Sequence, residues 1–162
     1  MADARERVLD RDVFIRTYQR PRREVVVFTN GVFDLLHRGH VEYLAAAREL
    51  GDRLVVAVNS DASARVLGKG RGRPYQAGED RAAIVASLRP VDHVCLFDEE
   101  TPATLIDAIV PDVLVKGGDY SIETVVGRET VEAAGGRVVI LPLLDGRSSS
   151  AIVAKIREET DG

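Results

Sequence analysis

The sequence predicts a doubly wound α/β fold, a five-stranded parallel sheet with helices on both faces. Three observations predict it. Apolar runs of strand length, rich in Val, Leu and Ile, occur at residues 25–28, 54–58, 91–97, 113–115 and 138–141. Segments with helical periodicity or helix-end signals separate them. The runs are largely continuous in apolar character rather than alternating, as expected of strands covered on both faces by right-handed crossovers.

The elements follow in order. A short helix over residues 11–19 ends at Arg20-Pro21, because the residue before proline is pushed out of helical conformation. After the first strand Asn30-Gly31 marks a loop. Val41, Leu44, Ala45 and Leu50 then fit a helix that runs from about Gly39 and is closed by Gly51. The second strand leads into a Gly-, Arg- and Pro-rich loop at residues 68–78 and a helix over residues 79–88. Past the third strand, Thr101 is the expected N-cap, with Pro102 at the first position of a helix reaching Ile109. Pro111 stops that helix before the fourth strand. A helix over residues 128–134 ends at Gly135-Gly136, the fifth strand follows, and a closing helix covers residues 148–156. This Rossmann-like order reads as one domain over 162 residues, with residues 1–23 as an N-terminal helical extension and linker.

Composition narrows the function. Hydrophobic residues at 45% and charged residues at 30% suit a globular protein, and a net charge of −4 disfavours a nucleic-acid partner. Residues 1–23 carry seven arginines against four acids, an excess read as a solvated helix and linker. No apolar run approaches the roughly eighteen residues of a membrane span, and the charged N-terminus has no signal-peptide character, so the expected location is cytoplasmic with no membrane partner. Cys95, the single cysteine, permits no internal disulfide and reads as a buried strand residue. His93 reads as structural or exposed.

In doubly wound sheets ligands bind beyond the carboxyl ends of the strands, near the reversal of strand order. The chemistry is therefore expected after strands one, two, four and five. After strand one a helix begins at about Gly39, and its unpaired N–H groups favour a bound phosphate. His37 and His40 flank that terminus and can stabilise charge that shifts in a transition state, and Gly39 leaves room for a ligand to approach the backbone. Asp34, His37 and His40 are spaced by three, but Asn30-Gly31 and Gly39 argue for loop rather than one helical face, so no metal ligands are assigned. The Gly-x-Gly-x-x-Gly dinucleotide fingerprint is absent after strand one.

Other polar segments sit at strand ends. Asn59, Ser60 and Asp61 offer groups for sugar hydroxyls, or form an Asx-turn. Lys69, Arg71 and Arg73 lie in the glycine-rich loop, where cations on a mobile segment can close over phosphates. Lys116-Gly117-Gly118-Asp119-Tyr120 follows strand four, where bare backbone admits a flat base. Ser148, Ser149 and Ser150 open the last helix; one is explained as an N-cap, and the group supplies hydroxyls and N–H groups for β- and γ-phosphates.

Residues 31–40, Gly-Val-Phe-Asp-Leu-Leu-His-Arg-Gly-His, resemble the signature of the cytidylyltransferase-like nucleotidyltransferase superfamily. Within it, residues 25–156 are similar to the heptose 1-phosphate adenylyltransferase family. The likeness is carried by Thr29-Asn30-Gly31, Asn59-Ser60-Asp61-Ala62-Ser63, Gly72-Arg73-Pro74, Glu79-Asp80-Arg81 and above all Val115-Lys116-Gly117-Gly118-Asp119-Tyr120. The resemblance implies transfer of AMP from ATP to a sugar 1-phosphate. It implies catalytic roles for His37, His40 and Lys69, with Arg71 as the alternative to Lys69. Nucleotide contacts fall on Thr29, Asn30, Gly31, Phe33, Gly39, His40, Lys116, Gly118, Asp119, Tyr120 and Ser148–Ser150. Acceptor contacts fall on Asp34, Asn59, Ser60, Asp61, Arg73 and Arg81, the last equally readable as a surface salt bridge. The resemblance also implies Mg²⁺ carried on the ATP phosphates, a homodimer, and a separate sugar kinase that supplies the acceptor. Cytidylyltransferases for glycerol 3-phosphate are the alternative; Leu143-Leu144-Asp145-Gly146 departs from their usual arginine-bearing segment. A non-catalytic nucleotide-binding module is disfavoured by the complete set of polar motifs.

Overall fold

The computed structural model of the chain describes residues 3–68, 70, 72–118, 120–144 and 146–160. Strands β1 (Val26–Gly31), β2 (Arg53–Asn59), β3 (His93–Phe97), β4 (Val113–Gly117) and β5 (Arg137–Leu141) form a parallel sheet in the order β3-β2-β1-β4-β5. The chain walks outward from β1 to β3, then crosses back to place β4 beside β1. Val27 pairs with Leu54 on one side and with Val113 on the other. The reversal of strand order between β1 and β4 opens a crevice at their carboxyl ends.

Alternate strand residues point to opposite faces, which is why the apolar runs are continuous. On one face Val27, Val56, Val58 and Val115 pack with Leu44 and Ala47 of α2 (Arg38–Arg48) and Ala82 and Val85 of α4 (Gly78–Ala86). On the other, Val26, Phe28, Val55 and Leu114 meet three helices. These are α1 (Arg11–Tyr18) with Phe14 and Tyr18, α5 (Ala103–Ile109) with Leu105 and Ile106, and α6 (Arg128–Ala133) with Val131. Full burial of each such side chain contributes roughly 1.5–3 kcal/mol. Cys95 is buried in this second layer, and burial pushes its thiol up to about 11. A closing helix, α7 (Ser149–Thr160), follows β5. Among the described residues no helix is long and apolar enough to cross a membrane.

Three features depart from the sequence expectations. A short helix, α3 (Asp61–Val66), follows β2; its six residues carry no apolar period, and its start is set by Ser60, whose Oγ accepts from Ser63 N at 3.3 Å. Thr101 is not the N-cap of α5. Pro102 holds that position without a side-chain bond, and the first turn is tied instead by Glu99, which accepts from Thr104 Oγ1 at 2.7 Å.

The third departure concerns part of the N-terminal arginine group: Arg5, Arg16 and Arg23 are exposed as expected, whereas Arg7, Arg11, Arg20 and Arg22 are engaged with the rest of the fold. Arg7 donates to Val91 O at 3.0 Å, and Leu9 N donates to Val94 O at 2.8 Å, so the segment adds to and covers the free edge of β3. Phe14 is fully buried, and the Tyr18 hydroxyl is hydrogen-bonded to His93 Nδ1. Arg20 and Arg22 converge on Asp112, which also accepts from Val26 N at 2.9 Å. Arg22 further donates to the carbonyls of Tyr18, Ile109 and Val110 at 2.6–2.7 Å. The segment is bolted to the amino-terminal end of the β1–β4 pair.

Replacing Arg22 by Ala removes a donor from each of three carbonyls and leaves Asp112 with Arg20 as its one arginine partner among the described residues. Urea unfolding should show a loss of roughly 2–4 kcal/mol. The exposed helical pair Arg38–Glu42 offers the contrast: Arg38→Ala should cost less than about 0.5 kcal/mol. Equal, small effects at both positions would mean that the N-terminal segment is only loosely attached.

Candidate active site

His37 is the N-cap of α2, with extended backbone (φ −142°, ψ 169°) and no side-chain capping bond, so the first N–H groups of the helix are left for an anionic ligand. The His37 and His40 rings stack with centroids 3.9 Å apart and an interplanar angle of 30°. Gly39 makes this possible, because a Cβ there would lie 2.9 Å from His37 Nδ1. The glycine read from sequence as a place for ligand approach thus has a structural duty to the histidine as well. Burial lowers the His37 pKa from its ordinary value, which favours the neutral ring. Phe33 stands 5.3 Å from His40 in a left-handed conformation (φ 50°) that a bulky residue adopts only under constraint. It is admitted by Gly31, where a Cβ would meet the Phe33 ring at 3.0 Å.

Behind the helix, Tyr43 ties α2 to the switch point. Its hydroxyl lies 2.6 Å from Thr29 Oγ1 and donates to Val115 O at 3.3 Å, linking α2, β1 and β4. Burial pushes the Tyr43 phenol up to about 12. Thr29 is fully buried, so its hydroxyl serves this link and not the cleft wall. Asp34, 4% exposed, accepts from Tyr75 N at 2.8 Å and Gln76 N at 3.1 Å, and its other oxygen lies 3.7 Å from Arg73 Nη1. Arg73 also sits over the Tyr75 ring, 5.1 Å from its centroid. The carboxylate therefore holds the returning end of the glycine-rich loop, and Arg73 with it, beside the histidines.

A cleft of about 560 Å³ runs over these residues and on past the ends of β4 and β5. Lys116 Nζ donates to Asn30 Oδ1, bringing two sequence-predicted residues together across the β1–β4 junction. Burial pulls the Lys116 pKa down to about 8. Tyr120 is exposed on the cleft wall, and Gly118 takes φ +106° beside Leu143. The three serines divide their work. Ser148 Oγ accepts from Ala151 N at 3.1 Å, Ser149 Oγ donates to Leu35 O at 2.9 Å, and Ser150 is exposed on the wall.

Other predicted residues are placed differently. Arg81 is fully buried and absent from the cleft wall; it donates to Gln76 O, Val32 O and Asn59 O at 2.6–3.0 Å and pairs with Asp61 at 2.8 Å. It is a clamp between three loops, neither a surface salt bridge nor a group that faces a ligand. Asn59 reaches the wall, but its amide donates to Ser63 Oγ, while Ser60 caps α3. Lys69, Arg71 and Asp119 lie outside the described residues. Among the described residues, no three His, Cys, Asp or Glu side chains stand together as a metal site. Sequence reasoning missed Tyr43, Leu143, Arg147, Glu100 and Thr101 as wall residues. Only Tyr43, three residues after His40 on one helix, carried a spacing signal.

Stacked histidines at a helix start on the switch point of a doubly wound sheet, with a lysine, an arginine and serines around one cleft, form a site suited to a phosphate-bearing ligand. Residues 28–155 match the cytidylyltransferase-like family, and the chain belongs to it. The bifunctional protein HldE of Citrifermentans bemidjiense is 54% identical over 156 residues, which is 95% of this chain and 32% of that protein. HldE of Geobacter sulfurreducens is 52% identical over 154 residues, 95% of this chain and 31% of that protein. The chain thus spans less than half the length of these relatives. Among solved structures, the lipopolysaccharide core biosynthesis protein from Thermoplasma volcanium superposes with a TM-score of 0.63 at 30% identity, covering 75% of this chain and 98% of that one. Pantoate-β-alanine ligase from Francisella tularensis shares the fold at a TM-score of 0.61 and 15% identity, covering 88% of this chain and 68% of that one.

The Lys116 environment predicts a pH dependence. Desolvation favours the neutral amine in the free protein, whereas an anionic ligand beside it would favour the ammonium, so binding of such a ligand would take up a proton above pH 8. Affinity for a non-hydrolysable ATP analogue should fall as pH rises through about 8, by up to about tenfold per unit. Lys116→Met should bind weakly at every pH and lose that limb; a limb that persists in the variant assigns it elsewhere.

Proposed function

We propose that this chain transfers AMP from ATP to D-glycero-β-D-manno-heptose 1-phosphate, giving ADP-heptose and pyrophosphate. The observation that carries the reading is the convergence, in one cleft, of the His37–His40 stack with Lys116 and the serine-headed start of α7. The similarity of residues 115–120 to the heptose adenylyltransferase pattern supports the choice of nucleotide and acceptor.

An oxygen of the acceptor phosphate attacks the α-phosphorus of ATP in line, a P–O bond forms, and the bond to the leaving pyrophosphate breaks. No protein nucleophile takes part. The chain's residues position the two anions and stabilise redistributed charge. The free N–H groups of α2 and the histidines face the phosphates, and Ser150 with the first turn of α7 holds the β- and γ-phosphates. Arg73, held beside Asp34, meets the acceptor phosphate, and Lys69 completes the charge from the glycine-rich loop. Nucleotidyltransferases generally use ATP as its Mg²⁺ complex, so the metal arrives as part of the substrate, held by phosphate oxygens and water. A homodimer and a kinase on a separate chain that furnishes the sugar 1-phosphate complete the proposal.

A panel of ATP, CTP, GTP and UTP against several sugar phosphates and glycerol 3-phosphate, scored by pyrophosphate release, tests the reading. ATP with heptose 1-phosphate should exceed every other pair by at least about tenfold in kcat/KM, a margin of ~1.4 kcal/mol in transition-state binding. Equal or better turnover of CTP with glycerol 3-phosphate replaces the adenylyltransferase with a cytidylyltransferase.

A further inference from the structure

Of Asn59, Ser60 and Asp61, the residues after β2 from which sugar contacts are expected, Asn59 alone lines the cleft. The nucleotide segments follow β4 and β5, and the histidines follow β1. Beyond the ends of β2 and β3 the wall includes Asn59, Ala64, Leu67, Glu100, Thr101 and Pro102. Asn59 has its amide engaged with Ser63. Glu100 and Thr101 are exposed, and neither side chain forms a hydrogen bond or ion pair with any described residue.

Their backbone is nonetheless fixed. The preceding Glu99 accepts from Arg11 at 2.9 Å and from Thr104 at 2.7 Å, and its carbonyl accepts from Ser63 Oγ at 2.6 Å. Ser60 N donates to Phe97 O at 2.9 Å, and Pro102 is buried. A carboxylate and a hydroxyl with all their hydrogen-bonding capacity free therefore stand on an anchored loop at a cleft wall. Such groups on a rigid support are what selective recognition of a polar ligand needs.

We infer that this flank is the sugar-binding half of the cleft, and that Glu100 and Thr101 select the acceptor through hydrogen bonds to its hydroxyls. The inference rests on the reading of the chain as a sugar 1-phosphate nucleotidyltransferase and deepens it by assigning the sugar subsite. Charge fixes the orientation. Among the described residues the cleft wall holds two carboxylates, Asp34 and Glu100, and Asp34 is taken by two N–H groups and Arg73. Glu100 repels the phosphate end of the acceptor and accepts from its hydroxyl end, turning the phosphate toward Arg73 and the histidines. In-line transfer makes the same demand, since acceptor and leaving pyrophosphate must stand on opposite sides of the α-phosphorus. With pyrophosphate at α7, the sugar lies toward β2 and β3.

Glu100→Gln and Thr101→Val preserve size while removing the charge or the hydroxyl. Initial rates with ATP and heptose 1-phosphate both varied, together with calorimetric binding of a non-hydrolysable ATP analogue, separate the two halves of the cleft. In each variant the KM for the sugar phosphate should rise about tenfold or more, the loss expected of a hydrogen bond to a charged or well-placed group. The KM for ATP, the affinity for the analogue and kcat at saturation should stay within about twofold, a level at which no such bond has been lost. An unchanged sugar KM in both variants, or a parallel rise in the KM for ATP, overturns the assignment while leaving the adenylyltransferase reading in place. Wild-type protein that releases no pyrophosphate with any sugar phosphate overturns that reading and the subsite with it.

Discussion

At residue 39 there is room for a hydrogen atom and little else. A Cβ at Gly39 would stand 2.9 Å from His37 Nδ1 and 3.0 Å from Cε1, so the first turn of α2 accepts the folded-back His37 ring only because glycine is there. That packing sets the stack with His40, which in turn leans on Phe33. Phe33 holds its left-handed backbone over Gly31 at the end of β1. A chain of contacts thus runs from the sheet's switch point to the histidines. Each link consists of a ring filling the space that an absent Cβ leaves or packing on the next ring. The Tyr43 hydroxyl anchors the same helix from behind, through Thr29 and Val115.

This arrangement explains why the site combines buried and exposed polar groups. Arg81 and Asp34 satisfy loop backbones, Thr29 meets the Tyr43 hydroxyl and Asn59 meets Ser63, and these bonds hold the strand ends at fixed positions. Arg73, Lys116, Ser150, Glu100 and Thr101 line the cleft. Preorganisation of this kind suits a reaction in which the protein supplies position and charge rather than a nucleophile. The clamp at the opposite end of the sheet, where Arg20 and Arg22 grip Asp112, keeps β1 and β4 adjacent and so holds the crevice open at their far ends.

The sheet was legible in the sequence because buried parallel strands write themselves as short β-branched runs. The histidine pair was legible because it coincides with a helix start. What escaped was side-chain partnership at long sequence separation. Arg22 and Asp112 are ninety residues apart, and Arg81 meets Val32 across forty-nine. Composition registers such arginines only as charge, so the N-terminal group reads as solvated and Arg81 as a ligand contact or surface pair. The helix α3 escaped for a different reason, since six residues are too few to display a period. Glu100 and Thr101 carry no local motif, and only the fold brings them to the wall that the histidines share.

Kinetics of Gly39→Ala measure the central constraint most directly. The added methyl meets the end of a side chain, which can swing away, so the fold should survive and unfolding stability should hold within about 1 kcal/mol, the helix-propensity difference between the two residues. Turnover should nevertheless fall by roughly 10²–10³, as for His37→Ala. The double variant should lose little more than either single one, because both changes remove the same ring from the same place. A Gly39→Ala enzyme with wild-type turnover would contradict the account, showing that the placement of His37 over the helix start is not what the chemistry requires.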